Sequence, residues 1–153
     1  MLVKYTTNSL KYICFILAIL TLSFPANSEL SVEEIIKGRK ALFSKNYSTA
    51  KKVQNLASKG DFEKAKSLML EMSENYKILI NYFPENTKEG FKTEALPIIW
   101  EEKENFNNLM TKASTDMAQL TKIIESSDDI RGTLGKFMWS NCKACHSKYR
   151  EEH

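Results

Sequence analysis

Near the end of the chain two cysteines stand three positions apart, with a histidine directly after the second: Cys142-Lys-Ala-Cys145-His146. Cys-x-x-Cys-His is the attachment signal for a c-type haem. The spacing suits the chemistry, because two thiols that add to the two vinyl groups of one porphyrin must lie close together. On a helix, positions i, i+3 and i+4 are neighbours, so residues 142, 145 and 146 share a face. His146 can then turn its imidazole onto the iron of a haem that both sulfurs hold, and neutral imidazole is a common axial ligand. Two other chemistries compete for these residues. A haem-free redox pair, with His146 lowering a thiol pKa, is expected among alternating strands and helices, a pattern this sequence lacks. Structural zinc normally takes four protein ligands, and the sequence holds only one further histidine, His153.

The rest of the chain must position that motif. Its 153 residues suggest one domain, and five Gly and three Pro among many Lys and Glu favour helices over a loop-rich β-sandwich or a disordered chain. Lys4 and Lys11 precede the apolar run 13–24, followed by Pro25-Ala-Asn-Ser28, the layout of a secretory signal peptide. Cleavage is expected between Ser28 and Glu29, giving a signal over 1–28 and a mature domain over 29–153. The run is short for a membrane anchor, which needs about 20 apolar residues. Cys14 leaves with the signal, so the mature protein keeps Cys142 and Cys145 in an oxidising compartment. The formal charge of +3 falls to +1 without the signal's two lysines. A net charge that near neutrality argues against a nucleic-acid partner.

Four stretches of the mature chain carry apolar residues at helical spacing. The first opens on a capping-box pattern, Ser31 and Glu34, and ends before Gly60. The second starts near Asp61 and ends at Pro84, and residues 84–96 read as a long connection. The third begins at Pro97 and runs through Ile124, and the fourth spans about 129–151, with the motif in its second half. Four amphipathic helices joined mostly by short loops predict an all-α fold, an antiparallel four-helix bundle whose last helix carries the cofactor. Only seven residues follow His146, so a sixth iron ligand must come from an earlier helix. Met69, Met72, Met110, Met117 and Met138 offer thioethers, though methionine at helical spacing usually fills core.

The chain resembles the class II c-type cytochromes, the cytochrome c′ family. The likeness rests on Cys142-Lys-Ala-Cys-His-Ser-Lys-Tyr-Arg150, on Ala95-Leu-Pro-Ile-Ile-Trp100 and on Arg39 in the first helix, and covers roughly residues 32–152. It implies a periplasmic four-helix bundle with one covalent haem c, often dimeric through its first two helices. It also implies that Arg39 meets a haem propionate, that Phe43 sits over the open face of the iron, and that Arg150 flanks the proximal side. The residues read separately agree in part. Arg39 lies within the apolar stripe, where an unpaired charge is costly, so it needs an anionic partner or an exit to water. Arg150, four residues beyond His146, equally suits a solvated cation at a helix C-terminus.

Phe43 departs from family members with methionine at this position, and a benzyl group has no lone pair for iron. Five-coordinate iron with His146 as its one protein ligand is therefore expected. An apolar pocket without a hydrogen-bond donor would take nitric oxide or carbon monoxide. The competing function is a low-spin one-electron carrier with a methionine sixth ligand, serving unidentified periplasmic redox partners. No acid–base or nucleophile constellation beyond the motif suggests an enzyme. No membrane association is expected once the signal is removed.

Overall fold

A computed structural model describes residues 29–152; the segment expected to be a signal peptide, and His153, lie outside the described residues. Helix α1 (Val32–Ser58) starts on the expected capping box. The Glu34 N–H donates to Ser31 Oγ at 3.3 Å, and the Ser31 N–H donates back to Glu34 Oε2 at 2.8 Å. Such a cap is worth about 1 kcal/mol. Gly60, at φ +77°, turns the chain where a side chain would be strained, and Asp61 caps α2 (Phe62–Leu79) through the Lys64 N–H.

The connection opens with two 3₁₀ turns, Ile80–Tyr82 and Glu85–Thr87. Three successive left-handed residues then reverse the chain: Gly90 at φ +89°, Phe91 at +47° and Lys92 at +55°. Phe91 is half exposed and disfavours this conformation. Phe91→Asn should therefore stabilise the protein by about 0.5–1 kcal/mol, read as a higher urea midpoint.

The third predicted helix is broken. A single turn, α3 (Ile98–Glu101), follows Pro97, and Glu102 departs to φ −113°, ψ +42° before α4 (Lys103–Ile123) begins. The break has a tertiary cause. The Glu102 carboxylate accepts the Tyr149 hydroxyl at 3.1 Å and the Lys148 ammonium, both from the last helix. The turn also aims the Trp100 indole N–H at the carbonyls of Phe83 and Pro84, at 3.1 and 3.0 Å.

The fourth predicted helix is three pieces in line. Asp129 caps α5 (Ile130–Leu134), a π-helical stretch covers Gly135–Trp139, and α6 (Ser140–Tyr149) carries the motif. A wider turn resets the helical phase. Leu134 faces the core before it and Met138 within it, and Asn141, Cys145 and Tyr149 follow on the buried side after it. The helix also stops short of the predicted 151. Arg150 is extended (φ −127°, ψ 145°) because the chain end pairs with the connection through an isolated antiparallel bridge between Ala95 and Arg150. The Leu96 N–H donates to the Tyr149 carbonyl at 3.1 Å, and the Glu151 N–H to that of Glu94 at 2.9 Å.

The result is the predicted all-α four-helix bundle of α1, α2, α4 and the last helix, with α2 packed most extensively on α4 and on α1. Its core holds Met69, Met72, Leu79, Met117, Leu120, Ile124 and Met138, all fully buried, each contributing about 1.5–3 kcal/mol. Among the described residues no helix is long and apolar enough to cross a membrane.

Candidate functional site

α1, α2, α4, the connection and the last helix line a cavity of about 590 Å³, within the range of about 300–1,000 Å³ common for ligand sites. Six residues singled out from the sequence as site candidates border it: Arg39, Phe43, Cys142, Cys145, His146 and Arg150. Helical spacing on α6 brings the three motif residues to one wall, as expected.

Both thiols are free, Cys145 buried and Cys142 half-buried. Burial, then the neighbouring Cys142, pushes the Cys145 thiol up to about 12. Burial also raises Cys142, partly offset by the Tyr76 hydroxyl beside it. A reactive redox cysteine needs the opposite shift, so the burial of these thiols counts against a thiolate switch. His146 reaches the cavity while remaining open to solvent. Burial and then the Arg150 charge lower its pKa, against a smaller upward pull from Glu94, which favours the neutral imidazole a metal requires.

Arg39 is 2% exposed, and its terminal nitrogens are committed to neutral oxygens of the connection. Nη1 donates to the Tyr82 carbonyl (3.3 Å) and Thr87 Oγ1 (3.0 Å), and Nη2 to the Thr87 carbonyl (2.9 Å) and Thr93 Oγ1 (2.6 Å). Its guanidinium also lies 4.8 Å from the centre of the Phe83 ring. Desolvation pulls its pKa down to about 10, so it keeps its charge at neutral pH. A two-pronged grip on a carboxylate by both terminal nitrogens would have to displace these bonds. The side chain is a clasp for the connection, a role the sequence did not announce.

Phe43 is half-buried and meets Phe83 edge-on at 6.4 Å between ring centres. Phe83 in turn packs on Phe106 at 4.6 Å, and Phe106 on Tyr149 at 5.4 Å, so aromatic rings line much of the cavity. Of the five methionines considered as iron ligands, Met110 is the one that borders it. Tyr76 and Asn46 bring polar groups to an otherwise apolar wall. Asn46 Oδ1 accepts from Asn75 at 2.8 Å, while Asn46 Nδ2 and Arg150 Nε are buried without a partner among the described residues.

Thr87 and Thr93 were not legible as site residues, since no periodicity or motif marks the connection. Tyr149 was not singled out either, although its place three residues after His146 on the same helix was a usable signal. Apolar rings for the faces of a macrocycle, two thiols and an imidazole on one wall, and cations at Arg39, Lys40 and Arg150 make a donor set that fits one covalently held haem. Among the described residues, which leave out His153, no group of His, Cys, Asp and Glu is arranged to hold a metal ion by itself.

Comparison with known proteins agrees. A curated cytochrome c′ from Rhodopseudomonas palustris is 28% identical over 120 residues, covering 76% of this chain and 82% of the relative. Cytochrome c′ of Rubrivivax gelatinosus superposes with a TM-score of 0.66 at 23% identity, over 78% of this chain and 97% of that one. A nitric oxide complex of a cytochrome c prime variant from Alcaligenes xylosoxidans gives a TM-score of 0.68 at 19% identity, over 82% and 100% of the two chains. At these identities the structural likenesses speak for the fold alone. The family model described as cytochrome c′ matches residues 34–150, well over half of the chain, and on that match the chain belongs to the cytochrome c′ family, whose members carry one covalently attached c-type haem.

Proposed function

We propose that this chain is a periplasmic haem protein that binds small uncharged diatomic gases, nitric oxide and carbon monoxide, and also passes single electrons. In this reading Cys142 and Cys145 form the thioethers and His146 is the single protein ligand of the iron. The observation that carries it is Phe43: the first helix brings to the cavity a side chain without a lone pair, backed by Phe83 and Phe106. Bound haem supplies a redox-active iron with an open coordination position. The chain does the rest. His146 presents a neutral imidazole, the aromatic wall keeps water and anions away, and Phe43 restricts entry by its bulk. The nitric oxide complex recorded for the Alcaligenes xylosoxidans variant lends support from within the family.

The testing measurement is the visible spectrum of periplasmically matured protein, oxidised and then reduced with dithionite. A broad high-spin reduced spectrum that changes on adding carbon monoxide is expected. Sharp low-spin bands unmoved by carbon monoxide would overturn the open-iron reading. If those bands disappeared in Met110→Leu, the protein would be a methionine-ligated carrier. Phe43→Ala should speed carbon monoxide association about tenfold, the effect of lowering a barrier by about 1.4 kcal/mol. Unchanged association kinetics would remove Phe43 as the gate.

A further inference from the structure

The near-neutral total charge hides a strong segregation. From Ile35 to Gly60 the chain carries seven Lys and Arg and no Asp or Glu, and from Ile130 to Arg150 five and again none. These two segments are neighbours in the fold. Tyr47 of α1 meets Trp139 of the π-helical stretch edge-on at 6.1 Å, and the Trp139 indole N–H donates to Gln54 Oε1 at 3.0 Å. One side of the bundle is therefore basic, while the carboxylates sit on the first turn of α1, on α2, on α4, in the connections and at the tail.

Some of these cations are already occupied. Lys37, Lys45 and Lys148 pair with Glu33, Glu71 and Glu102, and Lys40 lies near Glu94. Arg39 is buried. Lys51, Lys136 and Lys143 are exposed and form no ion pair among the described residues. They are grouped by geometry. The Lys51 ammonium stands 4.2 Å from the centre of the Tyr47 ring, and Lys136 and Lys143 flank Trp139 one turn to either side on the same helix.

Tyr47 is 54% exposed and also borders the cavity, as does Trp139. The cavity thus reaches the surface through two aromatic rings with lysines around them. Aromatic residues are enriched at the centres of protein interfaces, and surrounding charges set approach rate and partner choice.

We propose that the face formed by Tyr47 and Trp139, with Lys51, Lys136 and Lys143 around them, docks an acidic redox protein that exchanges single electrons with the group in the cavity. The partner is acidic because the face offers cations without carboxylates. It is a redox protein because the cavity wall meets solvent here at Tyr47, as it does also at His146. The inference rests on the haem reading of the cavity but not on the iron being open to gases.

The test is stopped-flow reduction of the ferric holoprotein by a reduced acidic ferredoxin, used as a probe of charge. The second-order rate is expected to fall about tenfold between about 0.01 M and about 0.15 M ionic strength, a dependence that a net charge of +1 would not produce. Lys51→Glu/Lys136→Glu/Lys143→Glu should lower the low-salt rate about tenfold and flatten the salt dependence. The same change in total charge on the other helices and the connection, Lys77→Glu/Lys88→Glu/Lys122→Glu, should have little effect. Equal losses in both triple variants, or none in either, would overturn the proposal. So would anionic phospholipid vesicles that bind the protein through these lysines while the ferredoxin rate is unaffected by their reversal. A dimer broken by Tyr47→Ala at an unchanged ferredoxin rate would instead assign the face to a second copy of the chain. Carbon monoxide binding tests the open iron separately, so the failure of either reading can be recognised.

Discussion

Cys142→Ala/Cys145→Ala is expected to leave a protein from which acidified acetone extracts all of the haem, whereas the parent keeps all of it through denaturation. Either single variant should retain haem through one remaining thioether. Retention in the double variant would remove both cysteines from their assigned role. The consequence extends beyond colour. An unfilled cavity costs about 24 cal/mol per Å³, so one of about 590 Å³ would cost on the order of 10 kcal/mol if dry. That is comparable with the whole stability of a domain, about 5–15 kcal/mol. Water entering from the open side offsets part of it. The chain without haem should therefore loosen where α1 faces α6 while α2 and α4 stay packed on their shared methionine core. Amide hydrogen exchange of the haem-free protein should show low protection in α6 and high protection in α2 and α4. Uniform protection would contradict this ordering.

Arg39→Leu should destabilise the protein by about 3–5 kcal/mol, near the top of what single substitutions do. Four hydrogen bonds are lost, and the carbonyls of Tyr82 and Thr87 and the hydroxyls of Thr87 and Thr93 lose a donor in a buried setting. Arg39→Lys discriminates between two roles. If the residue matters only as a positive charge near a propionate, lysine should restore most of the stability. If it matters as the clasp of residues 82–93, a single ammonium cannot bridge four separated oxygens, and lysine should fail. The readouts are the urea midpoint and the rate of trypsin cleavage after Lys88 and Lys92, both of which should change sharply in Leu and Lys variants alike.

The parts of this protein governed by local rules were legible in its sequence. Ser31 with Glu34, Gly60, Asp61 and Asp129 mark helix ends through bonds made within three or four residues, and the apolar spacing places Met69, Met72, Met117 and Met138 in the core. The motif and its shared face follow from helical geometry alone. Features produced by distant partners were not legible. Nothing near Glu102 announces a helix break, because its cause lies at Lys148 and Tyr149 on another helix. The early end of α6 depends on Ala95, more than fifty residues away in sequence. The hydroxyls and carbonyls that hold Arg39 come from a connection that carries no periodic signal, so the sequence did not announce them. Net charge hides a different feature: a sum over the chain cannot show that two basic stretches lie side by side.

The bridge between Ala95 and Arg150 bears on when the cavity can exist during folding. One wall comes from α1, while the residue that latches the opposite wall lies far later in the sequence. α1 and α2 can associate early, because they are sequence neighbours. The cavity has to wait until residues 149–151 reach back to the connection. Contacts of such long sequence separation form late and slowly. The motif cysteines therefore remain accessible until α6 docks, and the bundle closes around them as its final folding step.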